Sequence, residues 1–122
     1  MTTVLFVDDD KTLSTRLHTL FEHGSGFDAC MEARDGVEAL DKAMRLSPNL
    51  AILDFFLPDM GGLQLAQKLK EIKPELRIFM LTTDYSMNIE KNALSCGITA
   101  VFSKLDDLAT VVANARAVCG IE

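Results

Sequence analysis

Nowhere does the chain hold an apolar run near the ~20 residues that a membrane-crossing helix needs, so no transmembrane helix is expected. The opening MTTVLF lacks the basic stretch and the cleavage site of a secretory signal, and the expected location is cytoplasmic. Positive charge is also scarce. Twelve Lys and Arg stand against 18 Asp and Glu, a net charge of −6, which argues against direct nucleic-acid binding. Cysteine is sparse and odd in number. Cys30, Cys96 and Cys119 show no CxxC or Cys/His metal spacing and read as small buried or half-buried thiols. His18 and His23 are five apart on a predicted helix, face different ways, and read as surface residues rather than a metal pair. No repeat, low-complexity tract or linker interrupts the 122 residues, so residues 1–122 are expected to form one domain with a full core.

What the chain does have is alternation. Short apolar runs at Val4 to Val7, Leu50 to Leu53, Ile78 to Leu81 and Ala100 to Phe102 read as strands buried on both faces. A weaker run, Phe27 to Ala33, sets Phe27, Ala29 and Met31 against Asp28, Cys30 and Glu32. Between the runs lie helical stripes: Leu13, Leu17, Leu20 and Phe21, then Val37, Leu40, Ala43 and Met44. Leu65, Ala66, Leu69 and Ile72 form a third; Ile89, Ala93 and Leu94 a fourth, with Gly97 placed to end it. Leu108, Val111, Val112, Ala115, Val118 and Cys119 form the fifth. Asp35 and Glu38 have the spacing of a capping box for the second helix. The sum is a (βα)5 doubly wound α/β fold.

In VLFVDDDKT, residues 4–12, a greasy strand runs straight into three aspartates. Two carboxylates about 4 Å apart repel by roughly 4 kcal/mol at an effective dielectric near 20. Water, a cation or a catalytic task must accommodate them. Asp54 ends the third strand, Thr82 the fourth and Lys104 the fifth. Ligands of such sheets bind at the carboxyl ends of the strands. Four segments therefore deliver acids, a hydroxyl and an ammonium to one edge. An oxygen-rich site of this kind suits Mg²⁺, which accepts a few carboxylates and keeps waters. A carboxylate beside it can attack phosphorus to form an acyl phosphate, with Lys104 and Thr82 to neutralise and position the phosphoryl oxygens.

From VLFVDDD through LDFFLPDMGG and FMLTTD to AVFSK, the chain resembles the receiver domains of two-component response regulators over essentially its whole length. The resemblance implies a flavodoxin-like sheet in the order 2-1-3-4-5. It implies Asp54 as phosphoacceptor, with Thr82 and Lys104 as its catalytic partners. It implies Mg²⁺ held by Asp8, Asp9, Asp54 and the backbone carbonyl of Phe56, with Asp9 binding directly and Asp8 mainly through water. Asp10, one beyond the pair, is expected to cap the first helix. Pro58 and Gly62 match the turn into the third helix. The implied donor is a phosphohistidine of a histidine kinase or histidine phosphotransfer protein, and the receiver is a self-modifying switch rather than a turnover enzyme. The resemblance also allows a homodimer and a downstream helix-turn-helix DNA-binding domain.

The chain departs from the family pattern at several places. Leu105 follows Lys104 where Pro is usual, and Val101 replaces the usual switch aromatic, with Phe102 next door. Gly61 replaces the Asp that often precedes Gly62, and Phe56 and Asp84 flank the acceptor at positions that tune phosphoryl lifetime. The opening stretch also fits a haloacid-dehalogenase-like phosphatase, with Asp8 as nucleophile and Asp10 as general acid. That family needs a further acidic strand after the Lys, and it leaves LDFFLPDMGG unexplained. A flavodoxin needs a hydroxyl- and glycine-rich first loop in place of three aspartates. A receiver-like binding module without phosphorylation is the remaining rival, kept open by the altered switch. If Phe56 shields an acyl phosphate from water, Phe56→Asn should speed dephosphorylation severalfold in a time course of adduct loss; an unchanged rate removes the shielding role.

Overall fold

The computed structural model describes residues 1–22 and 24–121, so His23 lies outside the described residues. Five βα units follow in order: β1 (Thr3–Val7), α1 (Lys11–Glu22), β2 (Ala29–Ala33), α2 (Gly36–Leu46) and β3 (Leu50–Asp54). Then come α3 (Gly62–Ile72), β4 (Arg77–Thr82), α4 (Met87–Ser95), β5 (Ala100–Ser103) and α5 (Leu108–Val118). All strand pairs are parallel, in the order β2-β1-β3-β4-β5. This is the expected flavodoxin-like arrangement.

The unbroken apolar runs follow from helices on both faces. Val4 and Phe6 of β1, Leu50 and Ile52 of β3, and Phe79 and Leu81 of β4 meet Leu13, Leu17 and Phe21 of α1 and Leu108, Val111 and Ala115 of α5. Their neighbours Leu5, Val7, Ala51, Leu53, Ile78 and Met80 meet Ala39 and Ala43 of α2, Leu65, Ala66 and Leu69 of α3, and Ala93 of α4. On the α1/α5 side Phe21 lies edge-to-face with Phe6 at 5.2 Å and with Phe27 at 5.0 Å.

Several expectations change on contact with the packing. In α2, Val37 and Met44 are 64% and 70% exposed. The buried face instead runs through Ala39 and Ala43, whose small side chains pack against the sheet, with Gly36 buried at the helix start. Leu20, Ile72 and Leu94 sit at the margins of their stripes and are exposed, and α4 buries only Ala93 fully. Gly97, at φ 90°, follows α4 as expected. In the β2 region, Phe27 precedes the strand and packs with Cys30 on the α1/α5 side, whereas Met31 and Ala33 face the other layer. The alternation read across Phe27, Ala29 and Met31 therefore starts two residues too early. The described residues contain no cis peptide bond, so Lys104–Leu105 is trans. No described helix is long and apolar enough to cross a membrane.

β2 is an edge strand. The Ala33 carbonyl turns inward to accept the Asp8 N–H at 3.1 Å. Carbonyls alternate along a strand, so Glu32 presents its carbonyl outward, where it accepts from the Lys42 ammonium of α2. The three cysteines are free and half-buried, as expected. Burial pushes the Cys30 thiol up to about 11, with the Glu22 and Glu32 charges adding to the effect.

Leu17, 1% exposed, and Met44 separate the two kinds of apolar helix position. Leu17→Ala should cost about 2–5 kcal/mol in urea unfolding, and Met44→Ala should stay within about 0.5 kcal/mol.

Candidate functional site

The strand register brings the site together. Val7 pairs with Leu53 across β1 and β3, which sets Asp8 beside Asp54, and Asp54 pairs with Leu81. Thr82 pairs with Ser103, and the Lys104 N–H extends that ladder to the Thr82 carbonyl at 2.9 Å. Four neighbouring strands thus bring Asp8, Asp54, Thr82 and Lys104 to one edge, Asp54 and Thr82 as last strand residues and Asp8 and Lys104 one residue beyond theirs. Asp8, Asp54 and Thr82 are buried, and Asp9 is exposed.

Lys104 Nζ lies 3.0 Å from Asp8 Oδ2 and 3.2 Å from Asp54 Oδ2. The second oxygens are held by backbone: Asp8 Oδ1 accepts the Asp10 N–H at 2.8 Å, and Asp54 Oδ1 the Phe56 N–H at 3.2 Å. Asp10 turns away and caps α1, accepting the Thr12 N–H at 3.0 Å and the Leu13 N–H at 3.4 Å. The Thr82 hydroxyl accepts the Asp84 N–H at 3.2 Å, which leaves its own proton to donate. Asp8, Asp9 and Asp54 each offer an oxygen within 4.8 Å of the others. Asp8 Oδ2 is buried, and the Lys104 ammonium at 3.0 Å is its partner. An all-oxygen donor set of three clustered carboxylates fits a hard divalent cation.

The electrostatics match that geometry. Burial raises the Asp8 carboxyl above its ordinary range; the Asp10 N–H and Lys104 pull it partly back, while the Asp54 charge pushes it further up. For Lys104, burial opposes the charge, but Asp8 and Asp54 outweigh it and the ammonium is raised.

The segment after Asp54 is a closed loop. The Gly62 N–H donates to the Phe55 carbonyl at 2.8 Å, and Phe56 and Gly61 form an antiparallel bridge. A Cβ on Gly62 would stand 2.5 Å from the Asp54 carbonyl oxygen and 3.0 Å from Phe55 Cα, so only glycine lets α3 start flush against the end of β3. The Phe56 ring is 64% exposed and lies edge-on to Phe55 at 4.8 Å. Val101 is half-buried in the α2/α3/α4 layer, whereas Phe102 packs on Phe79 at 5.2 Å in the opposite layer. Phe102 therefore does not stand in for an aromatic at the Val101 position. A small cavity of about 110 Å³ opens beside Asp8 and Asp9, with Lys11 and Arg34 in its wall.

One residue at this edge escaped the sequence reading. Asp59, in the loop, accepts the Gly36 N–H at 2.8 Å and the Val37 N–H at 3.0 Å. It thereby caps α2 from another segment. Asp35 caps the Glu38 N–H at 2.8 Å as expected, but Glu38 returns its bond to the Arg34 N–H at 3.0 Å rather than to Asp35. His18 is a further partial surprise: it bonds Glu22 at 2.7 Å and Glu32 at 3.2 Å, tying α1 to β2 rather than standing free on the surface.

Residues 4–116 match the family model of the response regulator receiver domain. The chain belongs to that family. A relative from Pseudomonas aeruginosa, named as a proposed transcriptional regulator, is 35% identical over 118 residues, or 97% of this receiver and 56% of the relative. Response regulator protein VraR of Staphylococcus saprophyticus is 30% identical over 101 residues, 83% of this chain and 48% of VraR. The receiver thus spans about half the length of the curated relatives it matches. A solved response regulator from Burkholderia pseudomallei, described as holding a phosphorylated aspartic acid, a calcium ion and citrate, superposes with a TM-score of 0.84 at 25% identity. That match covers 98% of this receiver and 72% of the solved chain.

The raised Asp8 carboxyl has a thermodynamic sign. Its folded value lies above its unfolded value, so its contribution to stability is present at low pH and is lost as pH rises through the folded value. In metal-free buffer at pH 7, Asp8→Asn should therefore raise the melting temperature by a few degrees, on the order of 1 kcal/mol for a chain this long. The gain should vanish as pH falls through the carboxylate range, where wild type is itself neutral at this position. Added Mg²⁺ should stabilise wild type more than the variant. Equal melting curves at both pH values would contradict this account.

Proposed function

We propose that residues 1–122 form a phosphoacceptor receiver that takes a phosphoryl group on Asp54 from a phosphohistidine of a histidine kinase or histidine phosphotransfer protein. The observation that carries the reading is the environment of Asp54: a buried carboxylate with one oxygen on the Phe56 N–H and the other facing Lys104, beside Asp8 and Asp9. Asp54 forms the new oxygen–phosphorus bond as the donor's nitrogen–phosphorus bond breaks and the imidazole keeps the electron pair. Lys104 follows the charge from the carboxylate to the phosphoryl oxygens. The Thr82 hydroxyl, already oriented by the Asp84 N–H, donates to one of those oxygens. Asp8, Asp9, Asp54 and the Phe56 carbonyl would hold Mg²⁺, which supplies charge neutralisation for an anionic donor entering an acidic site. The surface that reports the change involves Thr82, Thr83, Val101, α4 and α5, and both states lie within a few kcal/mol of each other.

The receiver is proposed to act in the cytoplasm as a switch that hydrolyses its own acyl phosphate slowly. Its relatives' greater length supports a downstream transcription-regulating domain, and a homodimer is compatible with such an output.

The test is incubation with acetyl phosphate and Mg²⁺, followed by intact-protein mass spectrometry. One labile phosphoryl adduct, lost in Asp54→Ala, is the expected result. An adduct that survives Asp54→Ala and disappears in Asp8→Ala would instead make DDDKT a phosphatase nucleophile motif. No adduct, with Mg²⁺ binding intact, would favour a binding module that does not use phosphorylation.

A further inference from the structure

We infer that Asp59 is a positioning residue for the metal site: by clamping the β3–α3 loop onto the N-terminus of α2, it sets the affinity of the acidic site for Mg²⁺. The inference rests on the receiver reading above, in which the Phe56 carbonyl is a metal ligand.

The loop Phe55–Gly61 carries that carbonyl, and it is held at both ends. At its base, the Phe56–Gly61 bridge and the Gly62 N–H to the Phe55 carbonyl close it against Asp54. At its tip, the Asp59 carboxylate accepts from two successive α2 amides, Gly36 at 2.8 Å and Val37 at 3.0 Å. The adjacent Met60 completes the clamp. Its Sδ lies 2.4 Å from where a Cβ on Gly36 would stand, so glycine at 36 makes room for the methionine. The first-turn amides of a helix have no partners within it. Asp59 satisfies two of them and Asp35 a third, at Glu38. A carboxylate is favoured at that positive helix end, and the Gly36 N–H holds the Asp59 carboxyl below the usual range. Asp59 is exposed and belongs to no buried cluster, so the bonds to α2 are its evident role.

Without the clamp the loop keeps its base but loses its tip. The Phe56 carbonyl then samples a wider range of positions, and a cation that needs near-ideal octahedral geometry loses most from that freedom. Removing groups that orient metal ligands typically weakens binding by about 10–100-fold. Asp59 acts through the backbone of a loop closed at its base, which places the expected loss near the lower figure.

The experiment compares wild type, Asp59→Ala and Asp59→Asn. Mg²⁺ affinity is read by titration calorimetry, and amide hydrogen exchange is followed without metal. Asp59→Ala should weaken Mg²⁺ about tenfold, the lower end of that range, and speed exchange at Gly36, Val37, Phe56 and Gly61. Asp59→Asn keeps an acceptor but not the charge, and should recover a clear part of both effects. Equal losses in the two variants, with exchange unchanged, would reduce Asp59 to a bystander charge and overturn the inference. So would Asp59→Ala exchanging like wild type at Phe56 and Gly61, a readout that needs no metal. Wild type that binds no Mg²⁺ and takes no phosphoryl group on Asp54 would overturn the receiver reading itself. Wild type that does both, with Asp59→Ala indistinguishable from it, would sink only the role of Asp59.

Discussion

Two buried carboxylates and one ammonium share the carboxyl edge of the sheet, and the placement of everything near them follows from that triangle. Asp8 and Asp54 repel each other in a partly dry setting, where a pair at about 4 Å is worth several kcal/mol. Lys104, 3.0 Å from one and 3.2 Å from the other, offsets this. It can do so only because β5 lies beside β4 in register and its ladder continues one residue further, to the Thr82 carbonyl. The ammonium therefore ties the ends of β1, β3 and β5 together across β4. A defect in strand alignment anywhere in that set would be felt as an unbalanced charge.

The cost of that arrangement falls on backbone conformation and on glycine. The loop after β3 brings the start of α3 back so closely that a side chain at Gly62 would collide with the carbonyl of Asp54 itself. A second glycine, Gly36, makes room for Met60 where the same loop meets α2. The carboxyl edge of the sheet is thus assembled from loops held against helix starts, the arrangement a preorganised electrostatic site requires.

Much of this was legible in the sequence, for a physical reason. Strands buried on both faces must be continuously apolar, so β1, β3 and β4 declared themselves; β5, a half-buried edge strand, still showed through its short apolar run, and the polar residues at or just past the strand ends marked the site. Asp10 as a cap was readable because its role is local. What failed to show depends on distant segments. The α2 stripe through Val37 and Met44 misled because the helix turns its alanines to the sheet, and alanine carries little hydrophobic signal. Asp59 looked like any turn aspartate, since its partners lie more than twenty residues away. Phe102 beside Val101 suggested a substitute aromatic, but a one-residue step in a strand reverses the face. The register had to be seen before the two could be assigned to opposite layers.

A five-stranded open sheet ends in two edges, and an edge is a template for pairing with another chain. β5 is blunted by its brevity, four residues in all. β2 is treated differently: its outward Glu32 carbonyl is already taken by the Lys42 ammonium of the helix that follows it. The same lysine side chain thus serves as an end-stop to lateral growth of the sheet. A small, acidic domain with helices on both faces of its sheet thus keeps its two open edges from becoming adhesive surfaces.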